Sequence, residues 1–66
     1  MYKERDLNNK LVYFSIEWDE DALLWYMDTQ NQNYEFISNK FTSSTLDKNI
    51  VLKEARQYIK KNSLEK

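Results

Sequence analysis

At 66 residues the chain has room for one small domain. A domain of this size buries only about 60% of its unfolded surface, and its core rarely supplies more than ~3–5 kcal/mol. The sequence has no Cys and no His, which excludes disulfide staples, thiolate nucleophiles, imidazole proton shuttles and Cys/His zinc sites. It has no Gly, so a glycine-rich phosphate cradle is excluded as well. Its net charge of −1 argues against a polybasic chain built to hold nucleic acid.

Residues Met1–Lys10 are polar, carry charges of both signs and hold a single Tyr. They read as a flexible tail. Leu11 to Thr29, LVYFSIEWDEDALLWYMDT, carries the strongest pattern in the chain. Val12, Phe14, Ile16 and Trp18 alternate with Leu11, Tyr13, Ser15 and Glu17, and alternate residues of a strand share a face. Past Asp19-Glu20-Asp21 the alternation resumes, with Leu23, Trp25 and Met27 on one face and Leu24, Tyr26 and Asp28 on the other. A two-residue turn at Glu20-Asp21 sets Trp18 opposite Leu23, Ile16 opposite Trp25, Phe14 opposite Met27 and Val12 opposite Thr29. That register keeps every large apolar side chain on one side, whereas a slip of one residue reverses the faces. The turn lacks Gly and Asn, which disfavours a type I′ geometry and leaves a slightly longer loop open.

Gln30-Asn31-Gln32-Asn33 reads as a second turn, because Asn tolerates the left-handed backbone conformation. A third strand follows over Tyr34–Phe41. A two-residue loop places Phe36 beside Met27. A three-residue loop places Ile37 beside Met27 and Phe41 beside Leu23, and it avoids setting Asp28 against Glu35. Thr42–Thr45 reads as a loop rich in hydroxyls. A helix is expected over residues 46–62, capped by Ser44, Thr45 or Asp47. Val51, Leu52, Ala55, Tyr58 and Ile59 fall on one face at 100° per residue, and that face needs a cover. The expected architecture is α+β: a three-stranded antiparallel meander followed by one amphipathic helix packed on one sheet face, β-β-β-α, in a single domain.

Three surfaces remain for function. The uncovered sheet face presents Tyr13, Leu24 and Tyr26, joined by Leu11 and by Phe36 or Ile37. It reads as a docking face for a partner protein, a second copy or stacked bases; the plainer reading is that the N-terminal segment folds over it. The acidic turn holds Glu17, Asp19, Glu20 and Asp21. It could imitate a phosphate backbone, or simply keep a sticky hairpin soluble and guard its edge. The outer helix stripe holds Lys53, Arg56 and Lys60, suited to phosphates or an acidic partner, or merely a solvated face. The acidic cluster lacks the spacing and Gly of a calcium loop, so no metal and no cofactor are expected.

The stretch IEWDEDALLWYM, Ile16 to Met27, resembles the first hairpin of HicB-type antitoxins. The order of elements is similar to that of some small phage anti-CRISPR proteins, which block a nuclease's DNA channel with acidic surface. These resemblances imply an interaction protein and assign no residue roles. The leading expectation is a small non-enzymatic protein of phage or mobile-element type that binds and inhibits a larger macromolecule. A bias towards Asn, Lys, Ile and Tyr fits an AT-rich genome of that kind. The alternatives are a nucleic-acid-binding module using the aromatic face and basic stripe, and a structural homodimer or antitoxin-like protein. No run approaches the ~20 apolar residues of a membrane span, and MYKERDLNNK lacks the apolar centre of a signal peptide, so a soluble cytoplasmic protein is expected.

Overall fold

Antiparallel pairing organises the chain. The computed structural model describes residues 1–64. Five strands and one helix follow in order: β1 (Tyr2–Arg5), β2 (Leu11–Asp19), β3 (Leu24–Gln30), β4 (Phe36–Ile37), β5 (Thr42–Ser43) and α1 (Lys48–Lys61). The sheet runs β1-β2-β3-β4, and β5 also pairs with β3. The helix packs on one face, as the α+β expectation requires. Val12, Phe14, Ile16 and Met27 from the sheet meet Val51, Ala55 and Ile59 from the helix, with Phe41 closing the core.

The central hairpin keeps its expected faces and changes its register. Trp18 stands opposite Trp25, Ile16 opposite Met27 and Phe14 opposite Thr29. The connection is a four-residue loop, Glu20 to Leu23, between the paired residues Asp19 and Leu24. The register moves by two residues, which is the strand period, so the apolar stripe stays on one side. The exception is Leu23. It sits in the loop with φ 57° and is 67% exposed, outside the core where the tight turn would place it. Trp18 and Trp25 pack edge to face with centroids 5.5 Å apart, and the Trp25 indole N–H donates to the Thr45 carbonyl at 2.8 Å.

The N-terminal segment is a strand and not a tail. Tyr2 pairs with Phe14, Lys3 with Tyr13, Glu4 with Val12 and Arg5 with Leu11. Tyr2 and Glu4 therefore face the helix, and Lys3 and Arg5 face away. The Tyr2 ring lies 5.4 Å from Phe14, and the Arg56 guanidinium of α1 covers both rings at 5.8 and 5.4 Å.

The third strand is broken in two. Ile37 pairs with Thr29 and Phe36 with Gln30, so neither expected register holds. Pairing resumes at Thr42 with Tyr26 and Ser43 with Trp25, inside the stretch expected as a loop. Between these pairs β3 spends two residues where the other chain segment spends four. The two extra residues form a bulge held by Asn39. Its amide donates to the Met27 carbonyl at 2.8 Å and to the Thr29 hydroxyl at 3.0 Å, and its carbonyl accepts from the Phe41 N–H. One side chain thus takes the place of ladder bonds that the bulge removes.

Asp47 caps the helix: its carboxylate accepts from the Asn49 N–H at 2.9 Å. At the other end Asn62 donates its amide to the Tyr58 carbonyl, and the Asn62 carbonyl accepts from the Leu7 N–H of the first hairpin loop.

Candidate functional site: the outer sheet face

Pairing fixes which side chains the helix leaves uncovered. The outer face holds Lys3 and Arg5 of β1, Leu11, Tyr13, Ser15 and Glu17 of β2, Leu24, Tyr26 and Asp28 of β3, and Phe36 of β4. Tyr13, Leu24 and Tyr26 lie where the sequence places them. Phe36 points outward while Ile37 packs against the core, which decides between those two.

Tyr34 was not among the residues expected here. It precedes β4 with φ 63°, and its ring stacks on Tyr13 at 5.1 Å and 15°. Tyr34 and Phe36 are 67% and 69% exposed, and Tyr26 is 38% exposed. The Tyr34 phenol titrates above its ordinary value. The Tyr13 hydroxyl hydrogen-bonds it, and a charge on Tyr13 would oppose a second charge beside it, whereas Lys3 acts in the opposite direction.

The hairpin loops explain why Tyr34 lies where it does. In the first, Asp6 accepts from the Asn8 and Lys10 N–H groups and Asn9 takes φ 62°. In the third, Asn31 accepts from the Asn33 and Glu35 N–H groups and Tyr34 takes the left-handed position. In both, the opening residue also donates its backbone N–H to the carbonyl of the residue four places on. The two segments, DLNNK and NQNYE, share an Asp or Asn first and an Asn third. That spacing is the readable signal for both loops.

The acidic turn is only partly available. Asp19 opens the central loop, and its carboxylate accepts from the Asp21 and Ala22 N–H groups at 3.0 and 3.1 Å. It shapes the turn. Glu17, Glu20 and Asp21 are exposed. Glu17 belongs to the outer face, opposite Tyr26.

The basic helix stripe is corrected more strongly. Arg56 pairs with Glu4 at 3.1 Å and donates to the Lys3 carbonyl at 2.9 Å. Lys60 reaches the same Glu4 oxygen at 3.9 Å. Two of the three stripe cations therefore fasten β1 to the helix, and Lys53 remains exposed without them. The cause is the unexpected strand: β1 brings Glu4 under the helix.

An open groove of about 710 Å³ lies between β4, the Asn39 bulge and the end of α1. Phe36, Asn39, Lys40 and Tyr58 line it, and the Lys40 N–H donates to the Tyr58 hydroxyl at 3.0 Å. Among the described residues no three His, Cys, Asp or Glu side chains gather as a metal site, and no helix is long and apolar enough to cross a membrane. No protein-family model, curated protein or solved structure matches the chain.

Proposed function

We propose that this chain is a non-enzymatic interaction protein whose outer sheet face docks on a larger protein and acts by covering part of it. One observation carries this reading: Tyr13, Tyr34, Tyr26 and Phe36 share the face that the helix leaves open, with Tyr34 and Phe36 about two-thirds exposed. Aromatic side chains with a polar tip supply large contact area at low ordering cost and are enriched at protein interfaces. The Tyr13–Tyr34 stack holds part of that area ready before contact. Lys3 and Arg5 border the patch on the β1 side, Glu17 stands opposite Tyr26, and Ser15 and Asp28 form a polar row between Tyr26 and the Tyr13–Phe36 end. Glu20 and Asp21 extend the negative end and would steer a basic partner. A surface of this kind inhibits by occupancy, which agrees with an origin on a phage or mobile element.

Nucleic acid fits less well. The net charge is −1, and Arg56 and Lys60 are engaged by Glu4, so the cationic excess that phosphate binding needs is missing.

A photo-crosslinking phenylalanine analogue at Phe36, expressed in the native cell, tests the reading. The expected result is one protein adduct from that position and none from the same analogue at Lys53 on the helix. Equal adducts from both positions, or an adduct at Phe36 that survives Tyr13→Ala with Tyr34→Ala undiminished, would overturn it.

A further inference from the structure

The sheet has a notch in one edge. The Asp6 N–H to Lys10 carbonyl bond fixes the pairing parity between β1 and β2, so Val12 and Phe14 turn their backbone groups towards β1. By the same alternation Ile16 and Trp18 turn theirs to that side. β1 stops at Tyr2, opposite Phe14, and does not reach them. Among the described residues no partner meets these two N–H and two C=O groups.

The neighbouring edge is treated differently. The outward groups of β1 belong to Lys3 and Arg5, by the same parity. The Lys3 carbonyl accepts from Arg56 at 2.9 Å, and the Arg5 N–H donates to the Glu4 carboxylate at 3.1 Å. Side chains thus plug the edge of β1, while the edge of β2 above it stays open. On the far side of the sheet the edge strands are two residues long, too short to template a strand.

We infer that the open edge of β2 from Ser15 to Asp19 is a strand-addition site for an extended basic peptide segment of a partner protein. Main-chain bonds to Ile16 and Trp18 would supply affinity, and alternate side chains would supply specificity. Residues of the added strand beside Ile16 and Trp18 lie on the helix side of the sheet and are apolar. Residues beside Glu17 and Asp19 lie on the outer face and carry positive charge, because opposite charges across strands attract and like charges repel.

Charge also selects against a second copy. Two-fold antiparallel pairing centred on residue 17 sets Glu17 against Glu17. Centring on residue 18 sets Glu17 against Asp19. Centring on residue 16 drives Trp18 into the position that β1 holds beside Phe14. A foreign basic strand meets none of these obstacles.

The test uses the full chain and synthetic peptides about seven residues long, enough to span the notch at ~3.4 Å per residue. One peptide alternates Lys and Val, a second has the same composition in blocks, a third alternates Glu and Val, and a fourth is the first with alternate amides N-methylated. Amide shifts and hydrogen exchange followed by NMR should place the first peptide on Ser15–Asp19 and slow exchange at Ile16 and Trp18. The other three should bind at least about ten-fold more weakly, a difference of a few cross-strand contacts. Glu17→Lys, an exposed change that leaves one acid and one base at the site, should bring the first and third peptides close to equal affinity. Four outcomes would overturn the assignment: no binding of the first peptide at millimolar concentration, equal binding of the alternating and block peptides, indifference to N-methylation, or shifts confined to Tyr13, Tyr34 and Phe36. Loss of this site leaves the aromatic face untouched, so the two readings fail separately.

Discussion

Among the described residues three carry positive φ, and none is glycine: Asn9, Leu23 and Tyr34. Each follows an Asp or Asn whose side chain holds the turn's N–H groups, namely Asp6, Asp19 and Asn31. These caps are how a chain without glycine makes three reversals. They offset the cost of a left-handed residue, roughly 1–2 kcal/mol for a side chain such as Leu. Leu23 is the most costly of the three, since it gains no core contact at 67% exposure. Leu23→Gly is therefore expected to stabilise the fold by about 0.5–1 kcal/mol, after the entropy that Gly adds to the unfolded chain. Urea unfolding followed by tryptophan fluorescence measures this; an unchanged or lower midpoint would mean that the Leu23 side chain contributes packing after all.

Among the elements, β1 depends most on others. Its four residues bring one large apolar side chain, Tyr2, to the core side. Its hold comes from α1. Arg56 covers the Tyr2 and Phe14 rings, bonds the Lys3 carbonyl and pairs with Glu4. The ion pair itself contributes little, because the Arg56 side chain is about one-third exposed. The ring contacts and the bond to a backbone carbonyl matter more, together about 1–2 kcal/mol. Arg56→Ala should therefore detach β1 before the rest of the sheet opens. Native-state hydrogen exchange should show protection falling at Glu4, Val12 and Phe14 while the β2–β3 ladder keeps its own. A uniform fall across all strands would refute a local role for this latch.

At the scale of the whole molecule the reserve is small. A core rarely supplies more than ~3–5 kcal/mol at this length, and no covalent staple exists. Phe14 is fully buried at the junction of β1, β2, β3 and the helix. Truncating a buried Phe to Ala costs about 3–5 kcal/mol, comparable to the entire stability. Phe14→Ala is expected to leave the isolated chain largely unfolded at 25 °C, read as loss of near-ultraviolet circular dichroism. By contrast Tyr34→Ala and Phe36→Ala remove exposed rings and should leave the fold intact, with effects near ±0.5 kcal/mol. That contrast separates residues retained for the core from residues available to a partner.

The sequence alone determined what depends on period and on nearby residues. Alternation over Leu11–Thr29 set the two faces of the central hairpin, and the faces survived a change of register because that change equalled the strand period. The 100° spacing of Val51, Ala55 and Ile59 set the buried side of the helix, while the choice of Asp47 over Ser44 and Thr45 as its cap came from the structure. Tyr13, Leu24 and Tyr26 were legible as outward-facing for the same reason. Tertiary structure decided whatever required partners distant in the chain. Residues 2–5 are held as a strand by Arg56, more than fifty positions later, which covers the Tyr2 ring and donates to the Lys3 carbonyl and Glu4. That same contact occupies the cations expected to face a ligand. The break in the third strand rests on Asn39 reaching back to Met27, and the aromatic patch on a loop that turns Tyr34 over Tyr13. Periodicity reports which side of an element is apolar; it carries no record of which polar side chain will be brought to meet another once the layers close.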